Sequence, residues 1–250
     1  NSTLVLSPST IVGDGVSAST ATVTAKDSLG FAVPGAVVSF PVVPNVSGTG
    51  GTCTTSAVAG PGFGTCSVSL TSTVSGSYAI HATIGGTDVG GSPATLTVTA
   101  GAPNAGTSTW TVAPAGPITA DGVAAYTVTF TAKDANGNTV TTPGTVFAVP
   151  AVVNLTASAP SCATDGTGTC TLTFTSTVSG SYVITATLGV GGPALTNPAN
   201  HTLVFVAGPP NAGNSSLVVT TGTRVSDGVD AHNATVTVRD TQGNVVAGAT

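Results

Sequence analysis

The sequence predicts an all-β protein made of tandem β-sandwich domains arranged end to end, and three observations predict it. Apolar residues, mostly Val and Ala, alternate with Thr and Ser in stretches such as "TATVTAKD" and "NATVTVRD". This period of two is typical of half-buried strands. The chain contains 33 Gly and 16 Pro, and no segment shows helical periodicity. Finally, blocks of sequence recur at a period of about 106 residues, which indicates a repeat architecture.

The repeat predicts the domain organisation. Three markers recur. An Asp-Gly-Val triplet begins at Asp14, Asp121 and Asp227, and a basic residue followed by Asp occurs at Lys26, Lys133 and Arg239. A Gly-Ala/Pro-Pro-Asn junction begins at Gly101 and Gly208. They predict repeat 1 at residues 1–103, repeat 2 at 104–210 and an incomplete repeat 3 at 211–250. Thr250 falls inside a strand of repeat 3. We therefore expect a continuing chain or another chain to complete that sandwich, and continuation is favoured because repeat 1 has its own opening strands.

Each complete repeat contains about seven strand-like runs separated by Gly, Pro, Asn or Asp. About seven short strands in about 100 residues are typical of an immunoglobulin-like β-sandwich. The junctions "AGAPNAG" and "AGPPNAG" are short, so we expect successive domains to follow each other with little slack. In repeat 1 the predicted strands are Thr3–Leu6, Thr20–Lys26, Ala36–Val42, Gly51–Thr54, Thr65–Leu70, Ser77–Ile84 and Ala94–Thr99.

The composition excludes two classes of function. Charged residues make up 5% of the chain, with only four Lys and Arg, where a soluble domain has about 25%. Binding to nucleic acid needs clustered basic side chains, so we expect no nucleic-acid partner. No apolar stretch approaches the roughly 18 residues of a membrane helix, so we expect no membrane span in this segment.

One eight-residue block, "TSTVSGSY", occurs at residues 71–78 and again at 175–182. We interpret it as scaffold rather than as a duplicated active site. Its Ser-Gly pair is expected to form a tight turn, with Gly76 and Gly180 at positive φ. Tyr78 and Tyr182 are expected to bury their rings and to donate hydrogen bonds to nearby backbone, as a tyrosine corner does.

These motifs together resemble a known family. The pattern "LVLSPSTIVGDGVSASTATVTAKDSLGFAVPGAVVSF", followed by "GTCSVSLTSTVSGSYAIHATI", is similar to the group 1 bacterial Ig-like repeats of invasin- and intimin-type adhesins. The resemblance covers nearly the whole chain. It implies rigid extracellular stalk domains. The lectin-like tip domain that the family uses for receptor contact is not visible in this sequence.

The four cysteines form one pair in each complete repeat, Cys53 with Cys66 and Cys162 with Cys170. Each pair flanks a Gly-rich turn, and pairing within a repeat requires no contact between domains. Zinc is the alternative, but there is no Cys-x-x-Cys motif and no histidine that repeats with the pairs. We therefore predict two disulfides and a location outside the reducing cytosol.

No catalytic, cofactor or metal site is predicted. The three histidines, at 81, 201 and 232, fall at unrelated positions of the repeat, and no nucleophile elbow is present. Asp27, Asp134 and Asp240 each precede a Gly by three residues, which predicts a β-turn capped by the carboxylate. Calcium at the junctions is the alternative reading, but the junction sequences contain no acid.

Trp110 and the sequons are the remaining candidates for recognition. Trp110 aligns with Leu4, and we expect it to fill the core rather than to bind a sugar. Six Asn-x-Ser/Thr sequons are candidate glycosylation sites. They are Asn1, Asn45, Asn154, Asn200, Asn214 and Asn233.

The sequence therefore predicts a non-enzymatic structural protein, secreted or on the cell surface, that serves as an adhesin stalk or a self-associating fibre. The low charge favours association, because charged side chains normally protect strand edges. The expected partners are copies of the chain itself and the surface of a host or neighbouring cell. The alternative is a binding module that recognises a receptor or glycan through its loops, but loops such as "PNVSGTGG" and "TDGTG" are small and bland.

Overall fold

The computed structural model describes residues 1–249, and over that range the chain is all-β. No helix in this part of the chain is long and apolar enough to cross a membrane. The strands form two compact units. Unit 1 comprises Asn1–Ser108 with Ala132–Thr142, and unit 2 comprises Thr109–Thr131 with Pro143–Thr250.

Unit 1 contains ten strands in three sheets. Their orders are β1-β3-β6, β2-β10-β7 and β5-β4-β8-β9. The strands are β1 (Thr3–Ser7), β2 (Thr10–Val12), β3 (Ser19–Thr24), β4 (Val37–Phe40), β5 (Gly51–Thr54), β6 (Thr65–Leu70), β7 (Gly76–Ile80), β8 (Thr83–Ile84), β9 (Thr87–Asp88) and β10 (Ala94–Thr99).

The core of unit 1 follows from the alternation in its strands. In β3 the side chains of Ala21 and Val23 are buried, while Thr22 between them is only partly buried. Leu4 lies opposite Val23 across the β1–β3 pair. The buried cluster also takes Phe40 and Leu96 from the other two sheets, so the three sheets enclose one core.

Besides shifts of one or two residues at strand ends and the unpredicted β9, the strands of unit 1 differ from the prediction in two places. The first strand continues beyond β1 as β2, which leaves β3 and pairs in parallel with β10. The predicted strand Ser77–Ile84 is divided, because β7 pairs with β10 whereas β8 pairs with β4. In both places one continuous segment contributes strands to two different sheets. The alternation of apolar and polar residues does not indicate where a segment changes its partner strand.

Unit 2 contains twelve strands. Its sheets have the orders β11-β13-β17-β15, β12-β20-β18, β16-β14-β19 and β21-β22. The strands are β11 (Thr109–Ala113), β12 (Ile118–Thr119), β13 (Tyr126–Thr131), β14 (Val146–Ala148), β15 (Thr156–Ala157), β16 (Ser161–Ala163), β17 (Thr169–Thr175), β18 (Gly180–Ile184), β19 (Thr187–Leu188), β20 (His201–Val206), β21 (Asn211–Val219) and β22 (Ala234–Arg239).

Aromatic side chains fill the core of unit 2. Trp110 is buried and stacks on Phe130 at a centroid distance of 5.7 Å, and Phe130 in turn stacks on Phe147 at 5.1 Å. The Trp110 indole N–H donates to the Pro198 carbonyl at 2.7 Å. Trp110 therefore fills the core position that Leu4 occupies in unit 1, and its ring is not available to a sugar.

The third repeat consists of the hairpin β21–β22 and the loop after it. Leu217 lies opposite Val236, as Leu4 lies opposite Val23 in unit 1. Both side chains of this pair are 63% exposed, whereas their equivalents in unit 1 are buried. The prediction that repeat 3 breaks off inside a strand concerns Thr250, which lies outside the described residues.

Candidate functional site

The repeated block "TSTVSGSY" forms a turn that is held by the hydroxyl groups of its serine and its tyrosine. The buried Ser72 accepts from the Val74 N–H at 3.0 Å. Tyr78 donates its hydroxyl proton to the Val74 carbonyl at 2.9 Å. In the second copy Tyr182 makes the same bond to the Val178 carbonyl at 2.8 Å. Each tyrosine therefore fixes the turn in front of its own strand.

The expectation that the Ser-Gly pair of this block forms the turn was wrong, and of the two glycines only Gly76 has the expected positive φ. Gly76 and Gly180 are the first residues of β7 and β18, not turn residues. Gly76 has a φ of 159°, close to extended backbone, and Gly180 has no positive φ. A Cβ on Gly76 would lie 3.4 Å from the Tyr78 ring, so the tyrosine covers the glycine. The turn is made by the residues before the glycine.

The three Asp-x-x-Gly loops are β-turns, as predicted. The Gly137 N–H donates to the Asp134 carbonyl at 3.0 Å. One carboxylate oxygen of Asp134 accepts from the Asn136 and Asn138 amides, both at 2.9 Å. The loop is closed by its own aspartate, and this leaves the second carboxylate oxygen free to bind elsewhere.

That second oxygen holds Asn138, and the Asn138 side chain joins the loop to the "TSTVSGSY" turn of unit 1. Asp134 Oδ2 accepts from the Gly101 N–H at 2.8 Å and from Asn138 Nδ2 at 2.9 Å. Asn138 Oδ1 accepts from the Ser75 N–H at 2.8 Å, and its Nδ2 donates to the Thr73 carbonyl at 3.0 Å. We call this arrangement of loop 134–138 and turn 73–75 the clasp.

The clasp occurs a second time, inside unit 2. Asn244 Oδ1 accepts from the Ser179 N–H at 2.8 Å, and Asn244 Nδ2 donates to the Thr177 carbonyl at 3.0 Å. Asp240 Oδ2 accepts from Asn244 Nδ2 and from the Gly208 N–H, both at 2.9 Å. The same contacts are therefore made by equivalent residues in both copies, which indicates that the clasp is a feature of the repeat.

The carboxylates of both clasps are held in the charged form. Burial raises the pKa of Asp134, but the hydrogen bonds from the Asn138 side chain and from the Gly101, Asn138 and Asn136 amides outweigh it. Its pKa therefore lies below the usual value. The same opposition of burial and hydrogen bonds lowers the pKa of Asp240 to about 2. Several N–H donors stabilise a carboxylate without any cation.

The equivalent loop of repeat 1 is different. Asp27 accepts from the Leu29 and Phe31 amides at 2.9 Å, so the turn itself is retained. The position of Asn138 is taken by Phe31, whose side chain is 67% exposed. The sequence signal for the clasp was thus the fifth residue of the Asp-x-x-Gly loop. It is asparagine in repeats 2 and 3 and phenylalanine in repeat 1. Sequence reasoning missed it because the partner turn lies 63 residues away.

Four of the six sequon asparagines have structural roles. Asn45 and Asn154 adopt positive φ, 66° and 64°, at the third position of tight turns, a conformation that Asn tolerates well. Asn1 Nδ2 donates to the Asp27 and Ser28 carbonyls, and Asn214 Nδ2 donates to the Asp240 and Thr241 carbonyls. Nδ2 is the atom that a glycan would modify, so glycosylation at these two positions would compete with those bonds.

The cysteines form two disulfides, and His81 makes a surface contact. The structure joins Cys53 to Cys66 and Cys162 to Cys170, with Cα–Cα distances of 6.0 and 5.9 Å. His81 lies 3.3 Å from the Asp88 carboxylate on the surface. In residues 1–249 no group of three or more His, Cys, Asp or Glu is close enough to hold a metal ion.

Comparison with known families matches both complete repeats. The model of the bacterial Ig-like domain (group 1) matches residues 1–100, and the model of invasin domain 3 matches residues 104–208. Residues 1–100 are thus similar to bacterial Ig-like domains and residues 104–208 to an invasin domain. The family resemblance and the all-β, Ig-like fold predicted from the sequence are therefore confirmed. Comparison with curated protein sequences gave no match.

Several solved structures resemble this chain. InvD of Yersinia pseudotuberculosis matches with a TM-score of 0.62 and 25% identity, over 98% of this chain and 72% of InvD. Invasin, described as a bacterial integrin-binding protein, matches with a TM-score of 0.54 and 26% identity, over 100% of this chain and 48% of invasin. The Escherichia coli adhesin FdeC matches with a TM-score of 0.61 and 24% identity, over 99% and 76%.

Proposed function

We propose that this chain is a non-enzymatic part of a bacterial surface adhesin and that its Ig-like repeats form the extracellular stalk. The clasp carries this proposal. In two loops the buried Asp and Asn side chains form hydrogen bonds that fix a neighbouring turn. A binding module would instead present such groups to a ligand. The disulfides support an extracellular location, because the bacterial and eukaryotic cytosol is reducing.

A small-angle scattering measurement tests the stalk. The junctions contain Pro103 in one case and Pro209-Pro210 in the other, and proline restricts the backbone. We expect each repeat to add about 30–40 Å to an extended particle, the length of an eight-to-ten-residue strand with its loops. A compact particle with repeats folded back on each other would contradict the proposal.

The location and the domain boundaries need tests of their own. On intact cells that make the protein, added protease should degrade these repeats while a cytosolic marker survives. Limited proteolysis of the purified chain should cut first near residues 103–104 and 210–211, the boundaries that the repeat predicts. An adhesin role implies a host or neighbouring-cell receptor, as invasin is described as integrin-binding, and cell-binding assays with and without this segment address it.

Self-association into a fibre is the second candidate, and one observation favours it. Within residues 1–249 Arg224–Asp230 is the only ion pair between Lys or Arg and an acidic side chain, while exposed valines are frequent. Neither repulsion nor ion desolvation opposes contact between such surfaces. We expect association that is nearly independent of salt, because few charges are available to be screened. Sedimentation at high concentration in low and high salt tests this, and a strict monomer in both would exclude the fibre.

A further inference from the structure

The clasp surface of unit 1 is made almost entirely of backbone groups. The Thr73 carbonyl and the Ser75 N–H face the loop, and the Gly13 carbonyl accepts from Asn136 Nδ2 at 2.8 Å. The Gly101 N–H completes the set. Two carbonyls and two N–H groups at fixed positions form a pattern that only a loop with matching donors and acceptors satisfies.

The fifth residue of the loop decides whether the match exists. Asn138 supplies an acceptor for the Ser75 N–H and a donor for the Thr73 carbonyl, and it is only 9% exposed. A phenyl ring at this place offers neither. It would leave the Ser75 N–H and the Asp134 carboxylate short of a partner in a covered site, and an unsatisfied buried polar group is costly.

Repeat 1 presents such a loop. Leu29 and Phe31 are 79% and 67% exposed at the positions where repeat 2 has Asn136 and Asn138. The Asp27 carboxylate receives only the two amides of its own turn, whereas Asp134 receives four N–H donors. The two kinds of loop share the Asp and the Gly and differ in the groups that reach outward.

We propose that the turn 73–75, with the Gly13 carbonyl and the Gly101 amide, is a recognition surface that accepts an Asp-x-x-Gly-Asn loop and rejects an Asp-x-x-Gly-Phe loop. The partner that it fits is the following Ig-like repeat, provided that this repeat carries the asparagine. Repeats 2 and 3 carry it and repeat 1 does not. The surface thus specifies which repeat follows which. This inference stands whether or not the chain serves as an adhesin stalk.

The test measures amide hydrogen exchange in the whole 250-residue chain. In Asn138→Phe, the Ser75 and Gly101 amides should exchange at least tenfold faster, while Ser179 and Gly208 in unit 2 should keep their rates. Ala135→Ser, which changes an exposed residue of the same loop to the one found in repeat 1, is the matched control and should leave all four rates unchanged. Unchanged exchange of Ser75 in Asn138→Phe would overturn the proposal.

Two further variants keep the test decisive. Asn244→Phe repeats the experiment in unit 2, with Ser75 and Gly101 as the internal reference. If one of the two phenylalanine variants increases exchange at every amide of its unit, the other variant decides the test. If both variants do so, the proposal is overturned. The double substitution Thr241→Ala and Gln242→Asn converts loop 240–244 into the sequence of loop 134–138. The Ser179 amide should remain protected from exchange in this double variant. Loss of that protection would contradict the proposal that the surface accepts any Asp-x-x-Gly-Asn loop.

Discussion

Removing one disulfide should destabilise one unit and spare the other. The Cys53–Cys66 bond closes a loop of 13 residues and the Cys162–Cys170 bond closes one of 8. Closing loops of these lengths restricts the unfolded chain by about 2.9 and about 2.5 kcal/mol. Replacing Cys53 and Cys66 together by Ser should therefore lower the free energy of unfolding of unit 1 by about 3 kcal/mol.

Calorimetry provides the measurement. A unit of roughly 120 residues loses about 4 °C of Tm for each kcal/mol, so the transition of unit 1 should fall by about 12 °C. The reciprocal variant, with Cys162 and Cys170 replaced by Ser, should lower only the transition of unit 2, by about 10 °C. Because distant sites contribute independently, equal falls in both transitions would refute the assignment of each disulfide to its own unit. Peptide mapping without reductant that found free thiols would refute the pairing itself.

Three smaller perturbations test the turns and the clasp. The Asp240 carboxylate, with its pKa lowered to about 2, should stabilise the clasp fully above about pH 4 and lose that effect as the pH falls toward 2; the NMR shift of the Gly208 amide should titrate accordingly, and a midpoint near 4 would contradict this. Tyr182→Phe should lower the stability of unit 2 by about 1 kcal/mol in urea, because it removes the bond to the Val178 carbonyl; a loss in unit 1 instead would be inconsistent. Asn154→Ala should cost about 1 kcal/mol because of its positive φ, whereas Asn154→Gly should cost nothing measurable, and equal losses would argue against the turn.

Much of the fold could be predicted because period-two alternation reports burial directly. The predicted strands Gly51–Thr54, Thr65–Leu70 and Ala94–Thr99 agree with the observed bounds. The strand β2 was missed because three residues are too few to show a period. Its pairing with β10 depends on a partner more than 80 residues away, which local sequence does not encode.

The candidate site was only half visible in the sequence. The tyrosine corner and the Asp-x-x-Gly turn are local, so the hydrogen bond of Tyr78 and the capping role of Asp134 were predicted correctly, although the Tyr78 ring is only partly buried. The junction sequence contains no acid, and acid was therefore not expected there. In the structure the Asp134 carboxylate nevertheless reaches the Gly101 amide. Only the folded chain brings these residues together, because 33 positions separate them.

The parallel pairing of β2 with β10 has a mechanical consequence. Near the start of repeat 1 the chain passes through Thr10–Val12, and near its end it passes through Thr97–Thr99, directly alongside and in the same direction. A pulling force applied to the two ends of the repeat moves these strands in opposite directions along their length. Their hydrogen bonds are then loaded together in shear instead of opening one at a time, as in a hairpin pulled from its open end. β12 and β20 repeat the arrangement with Ile118 beside Phe205, so both complete repeats meet tension along the chain with a strand near their start held beside a strand near their end.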